Sequence, residues 1–170
     1  MSYPNLVAGQ IVTADGLNLD APVIRLVDGR THTGALVDTN TTSGTYAAVT
    51  SANPQNSGPL YAGRAYRADV QVGVQSTVAN DRMRFSIWDG TVGVTQLGSF
   101  EPIVRCEAAS NFKNNLMTFV WPQLSDTTIS NVNLGHQRFS GTGTCTTRIE
   151  VPSFCFLIYD LGPTSRIQNL

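Results

Sequence analysis

Reactive side chains are scarce in this chain of 170 residues. A hydrolytic triad needs a base, usually His, beside its nucleophile. Only His32 and His136 are present, and there is no G-x-S-x-G. Two histidines cannot make a three-His metal site, although mixed ligand sets stay open. His136 follows Leu134-Gly135 at the end of a candidate strand and reads as a surface or edge histidine rather than a catalytic one. Cys106, Cys145 and Cys155 are odd in number with no C-x-x-C spacing, which argues against a disulfide framework and against zinc. They read as small core residues of a protein kept in a reducing cytoplasm.

Other spacings approach known sites and then fail. Gly141-Thr142-Gly143-Thr144 has the glycines of a phosphate loop but precedes a strand, so no helix start supplies the amides and dipole. Asp38-Thr39-Asn40 opens like a calcium loop, then lacks the Gly at its sixth position and the Glu at its twelfth. Carboxylate pairs for glycoside hydrolysis are a matter of spatial geometry. Here Glu101, Glu107 and Glu150 are the only glutamates, and turns account for most aspartates, which adjoin Gly, Thr or Asn. Trp88 and Trp121 remain as a sugar-stacking platform. Trp88 lies on the strand face opposite Met83, Phe85 and Ile87, where exposure or a subunit interface is expected, the interface being favoured. The sequence thus predicts no catalytic residue, no metal ligand and no cofactor.

Charge narrows the partners. Lys113 is the only lysine, so ten of the eleven basic residues are arginines, and they are scattered. With a net charge of −1 and no basic stripe, nucleic acid is not an expected partner. No apolar run approaches the ~18 residues of a membrane span, and no charged start precedes an apolar stretch, so a soluble compartment without membrane contact is expected. The charged fraction is 14%, against roughly 25% in an average domain. Thr, Ser, Asn and Gly fill the difference. With so little Glu and Lys, little helix is expected.

The elements that must position these residues are strands. From Arg64 to Gln75, Tyr66, Ala68, Val70, Val72 and Val74 alternate with polar residues and glycine, as a half-buried antiparallel strand requires. Val78 to Asp81 reads as a turn, and Met83, Phe85 and Ile87 resume the alternation. The two runs predict a hairpin, and Asp89-Gly90 closes its second strand. Shorter candidates are Gly93 to Leu97, Ile103 to Glu107, Leu116 to Trp121 and Thr128 to Leu134. Thr144 to Val151 alternates again, and Phe154 to Leu161 is apolar enough to be central. Roughly eight strands spaced about ten residues apart predict an all-β, antiparallel β-sandwich, jelly-roll-like.

Residues 1–60 behave differently. Apolar patches at Leu6-Val7, Ile11-Val12, Val23 to Val27 and Tyr46 to Val49 sit among Thr-, Asn- and Gly-rich connections. Thr39 to Thr45 and Ser51 to Pro59 read as loops, and Thr13 caps at most a short helical turn. The expected division is an extended N-terminal arm and loop-rich segment over 1–60 and a β-sandwich domain over 61–170. The arm either lies on a neighbouring subunit or folds back on its own sandwich.

Three blocks, Tyr3 to Ala14, Tyr66 to Gly98 and Gly141 to Pro163, together resemble a family of virion proteins from phages of actinobacteria, usually labelled minor tail proteins. Tyr3-Pro4-Asn5-Leu6-Val7-Ala8-Gly9-Gln10-Ile11-Val12-Thr13-Ala14 is similar to the family's opening. Gly141-Thr142-Gly143-Thr144 and Leu157-Ile158-Tyr159-Asp160-Leu161-Gly162-Pro163 are similar to its close. Between them, Tyr66-Arg67 to Leu97-Gly98, with Asn80-Asp81-Arg82 and Thr95-Gln96-Leu97-Gly98, resembles its centre. Together the blocks cover about two-fifths of the chain. Tyr159 stands where the family commonly has Glu, and Gly29 to Pro59 has no counterpart. The resemblance implies a jelly-roll-like, non-enzymatic structural protein on the exterior of a bacteriophage particle, made in the bacterial host cytoplasm. It would be a capsid decoration or minor tail protein and a homo-oligomer, read as a homotrimer, with major capsid or tail proteins as further partners. Tyr3, Pro4, Leu6, Val7, Ile11, Trp88 and Tyr159 are the candidate subunit or particle contacts. The alternative is a receptor- or carbohydrate-binding module of a tail fibre tip, using Trp88, Trp121 or the loop from Thr39 to Gly44.

Overall fold

The computed structural model describes residues 25–31, 37–49, 55–56, 59–126, 131–149 and 155–166. Among these residues twelve strands run in the order β1 (Arg25–Thr31), β2 (Val37–Thr41), β3 (Ala47–Ala48), β4 (Gln55–Asn56), β5 (Arg64–Ser76), β6 (Arg82–Asp89), β7 (Thr95–Leu97), β8 (Ile103–Arg105), β9 (Lys113–Pro122), β10 (Asn131–Ser140), β11 (Cys145–Ile149) and β12 (Cys155–Pro163), with a 3-10 turn at Thr164–Arg166. They form two six-stranded sheets whose named strand pairs are all antiparallel. The protein is an antiparallel β-sandwich.

In the first sheet β5 is the hub. β9 lies along one flank of it, from Ala65↔Pro122 to Val74↔Lys113. The other flank is shared by β12, paired from Arg64 to Gln71, and β11, paired from Gly73 to Ser76. β1 extends the sheet beyond β12, and β2 beyond β11. In the second sheet β6 and β10 pair at the centre, with β3 and β4 on β10 and β7 and β8 on β6. Tyr66, Ala68, Val70, Val72 and Val74 of β5 pack in one core with Met83, Phe85, Ile87, Phe119, Trp121, Leu134, Phe156 and Ile158. Each large apolar side chain buried there stabilises the fold by roughly 1.5–3 kcal/mol.

The expected hairpin does not form. β5 and β6 carry the predicted alternation but belong to different sheets. Residues 77–81 are an arch that carries the chain from one layer to the other. Alternation dictates which face of a strand is buried, and it is silent about the partner. A hairpin would set both apolar faces side by side, whereas the arch turns them toward each other. Asn80 takes a positive φ of 68° to make this bend.

Other boundaries shift. The Thr- and Asn-rich run expected as a loop from Thr39 is a strand through Thr41, paired with β11, and the loop begins at Thr42. The strand expected to end at Leu134 continues to Ser140. β12 is central, between β1 and β5, as its composition implies. Within residues 1–60, β1 to β4 join both sheets of their own chain. The rest of the predicted arm, with the expected helical turn after Thr13, lies outside the described residues.

Candidate interaction surfaces

The motif residues assemble first, and they build a joint. The Asp81 side chain ends the arch and points into the Gly141–Thr144 turn. Ser76 Oγ donates to its Oδ2 at 2.7 Å, Gly143 N–H to the same oxygen at 2.8 Å, and Thr142 N–H to Oδ1 at 3.2 Å. Its own carbonyl accepts Cys106 N–H at 2.9 Å. The turn that resembles a phosphate loop therefore does hold an anion, one supplied by its own chain. Both glycines are required by close approach: a Cβ on Gly141 would fall inside the carboxylate, and one on Gly143 would lie 2.6 Å from Oδ2. Gly141 also has a φ of +109°, which costs little only in glycine. Two blocks of the resemblance, Asn80-Asp81 and the glycine turn, are halves of one structure.

The closing block makes a second joint. Asp160 is buried on β12. Arg64 Nε donates to its Oδ2 at 2.7 Å, and Gly162 N–H to its Oδ1 at 2.8 Å. The register with β5 slips between Asp160 and Gly162, so the Asp-Leu-Gly sequence is a β-bulge stapled by its own carboxylate. Tyr159, the candidate contact beside it, is half-buried on the outer side, with the Arg67 guanidinium 4.9 Å from its ring centroid.

His136 is a correction. It lies in the core, fully buried, not at a surface or edge. Its Nδ1 shares a 2.6 Å hydrogen bond with Thr147 Oγ1, a bond between the two sheets, and Nε2 finds no partner among the described residues. Burial pushes its pKa down to about 4. The extension of β10 past Leu134 is the cause, because it sets position 136 on the inner face with Val132 and Leu134. Cys106 and Cys145 are buried and Cys155 half-buried, all three free. Burial raises all three thiols, Cys106 to about 11, away from nucleophilic chemistry. Asp38, the calcium-loop candidate, is used by Arg148, whose Nε and Nη2 reach its two oxygens at 2.7 and 2.8 Å and lower its pKa.

Neither tryptophan offers a platform. Trp121 is in the core, stacked on Tyr66 at 5.8 Å, with its N–H donated to Gln123 Oε1 at 3.2 Å. Trp88 is on the outer side of the second sheet as expected, but only 7% exposed. It leans over Gly135, where a Cβ would stand 2.7 Å from its Nε1, and the Tyr46 ring meets it edge-on at 5.2 Å. Tyr46 donates to Glu101 Oε1 at 2.7 Å, and burial together with that carboxylate raises its pKa above the ordinary tyrosine value. Arg84 pairs with Glu101 at 3.2 Å and lies 3.9 Å over the Phe139 ring. Beneath this cover Arg84 Nε, Ser86 Oγ, Trp88 Nε1 and Asn133 Oδ1 find no hydrogen-bond partner among the described residues. Around it Val94, Phe100, Ile103 and Phe139 are exposed. Ile103 and Arg84 are cross-strand neighbours, so Ile103, Arg84 and Phe139 form one band across the sheet.

The outer side of the first sheet is polar. Arg67 pairs with Asp69 at 2.7 Å, and Thr118 donates to the same carboxylate at 2.8 Å. Its exposed large apolar side chains are Leu116 on β9, 67% exposed, and Leu26 on β1, 53% exposed, among the described residues. Tyr3, Pro4, Leu6, Val7 and Ile11, the arm contacts expected from sequence, lie outside the described residues. Sequence reasoning missed Asp81, Tyr46, Arg84 and Glu101. The signal for Asp81 was present, since two glycines one residue apart before a strand announce a close approach.

No protein-family model matches the sequence, and no curated protein matches it. Among solved structures, a chain of the infectious bursal disease virus Gt strain is similar at 14% identity and a TM-score of 0.36, over 94% of this chain and 42% of that one. A chain of the T=1 particles derived from infectious bursal virus is similar at 11% identity and a TM-score of 0.40, over 96% and 41%. The chain spans less than half the length of these two. Likeness at this distance carries no argument about function.

Proposed function

We propose that this chain is a non-enzymatic structural protein of a bacteriophage particle, carried on the exterior as a capsid decoration or minor tail protein. It acts through contacts with copies of itself, as a trimer on the resemblance, and with capsid or tail proteins. The observation that carries this reading is the use made of the shared motifs. Asn80-Asp81, the glycine turn and Asp160-Leu161-Gly162, residues on which the resemblance rests, are each used to close the fold of this chain. The apolar band of Ile103 and Phe139 and the exposed Leu116 then suit protein contacts, because exposed apolar area in a weakly charged surface favours association. In a symmetric array each contact is multiplied, and modest ones suffice.

The test is binding to particles. Recombinant chain added to virions stripped of it is expected to sediment with them, and antibody to the chain is expected to label intact virions. A chain that stays in the supernatant and labels no virion overturns the reading. The receptor- or carbohydrate-binding alternative is weakened by the burial of Trp88 and Trp121, which leaves it the exposed loop from Thr42 to Gly44.

A further inference from the structure

We propose that β9 is an interface strand, pairing antiparallel with β9 of a second copy across a two-fold axis at Leu116, so that the two first sheets become one. β5 occupies one flank of β9, and among the described residues no strand occupies the other. Three observations fix which backbone groups face the open flank. Gln123, just past the strand, gives its N–H to Arg64 O at 2.7 Å and takes Gly63 N–H at 2.9 Å, so odd-numbered residues address β5. Pro122, which has no N–H to give, stands at an even position. The Val120 carbonyl points away from β5, 2.9 Å from where a Cβ on Gly98 would be. Asn114, Leu116 and Thr118 therefore turn their N–H and C=O groups outward, and all three are exposed.

The same geometry sets the register. The Gly98 turn covers the flank at Val120, which leaves Lys113 to Phe119 open, with Leu116 at the midpoint. Outward groups must meet outward groups, so Leu116 pairs with the partner's Leu116 and Asn114 with the partner's Thr118. Two exposed leucines then cover each other on one face. Lys113, the only charged residue of β9, is ion-paired with Glu107 and falls opposite Phe119 of the partner subunit, so no like charges meet. Proteins commonly guard a free edge with a mid-strand lysine, proline or bulge. β9 has none between Asn114 and Val120, and its register with β5 is unbroken. The fit is self-complementary and uncharged, which selects a second copy over a charged partner. A strand pair this short buries less than the roughly 1,200 Å² of a stable complex, as suits one contact among many in an array.

This inference rests on the reading that the chain works through contacts with its own copies. It is tested by sedimentation of the wild type, Leu116→Lys, Leu116→Asp and their equimolar mixture, with amide exchange followed at Asn114, Leu116 and Thr118. With rising concentration the wild-type species is expected to double in mass while those three amides slow. Each variant should weaken the doubling by about tenfold or more, and the mixture should restore it. Thermal melts check that the variants, changed at an exposed position, stay folded. Variants that associate like the wild type, a mixture that fails to recover, or three amides that exchange alike at every concentration overturn the proposal. Those results leave the particle reading to its own binding test. Failure of that test beside an intact β9 pair overturns the particle reading alone.

Discussion

Two buried polar regions of this molecule differ in how completely they are satisfied. At the Asp81 joint, both carboxylate oxygens accept hydrogen bonds, from the end of β5 and from the glycine turn. Under the cover of the second sheet, Ser86 Oγ, Trp88 Nε1, Asn133 Oδ1 and Arg84 Nε have no protein partner among the described residues. A buried polar group left unpaired costs about 1–3 kcal/mol, so the first region stabilises the fold and the second draws on that stability. The joint works mainly with backbone amides, which glycine geometry fixes in place. The second depends on side chains resting on one another, with Gly135 as the space that admits them.

The comparison breaks most readily at the joint. Asp81→Ala strands two amides and leaves the Ser76 hydroxyl only the 3.3 Å bond to Thr144 O, and is expected to destabilise the protein by about 3 kcal/mol or more in urea denaturation. Gly141→Ala, which drives a Cβ into the carboxylate, should match it, and the double variant should cost far less than the sum. His136 has traits of both regions, one nitrogen bonded and one without a partner among the described residues. Burial holds it neutral in the folded state down to about pH 4, whereas the unfolded chain takes up a proton near 6.5. The unfolded state binds more protons between those values, so this stability is complete above pH 6.5 and is lost as pH falls to 4. The expected loss is about 3 kcal/mol, measured as denaturation midpoints across that window, and His136→Leu should flatten the slope.

Smaller effects sharpen the second region. Gly135→Ala must displace the indole, with an expected cost of about 1–3 kcal/mol and a changed tryptophan signal in near-ultraviolet circular dichroism. Trp88→Phe removes an N–H that has no partner among the described residues, and the expected cost is under about 1.5 kcal/mol. Trp121→Phe, which abandons Gln123 in the core, should cost more. Equal losses at the two tryptophans would show that Trp88 Nε1 is bonded after all.

Much of the fold was legible because burial writes itself into alternation. Tyr66 to Val74, Met83 to Ile87 and Cys145 to Ile149 all turn the predicted faces inward. Pairing was not legible, since an arch and a hairpin need the same alternation and nearly the same turn residues. The strand character of Thr39 to Thr41 was hidden by residues common to loops, and β11 alongside decides it. Of the candidate sites, Trp88 was placed on the correct face, but its cover comes from Tyr46, and no local pattern announces so distant a neighbour. His136 was misplaced because Gly135 reads as a strand end, whereas it is the gap that receives an indole.

The hub position of β5 has a kinetic consequence. Its neighbours in the sheet are β9, β11 and β12, all later in the chain, the last ending at Pro163. At about 5–20 residues per second, a ribosome needs several seconds after Ser76 before the last of these strands exists. Throughout that interval a long valine-rich segment waits without its layer-mates, and contacts so distant in sequence form slowly even afterwards. Yield in a foreign host should therefore respond to temperature and chaperone supply more than to the stability of the finished molecule.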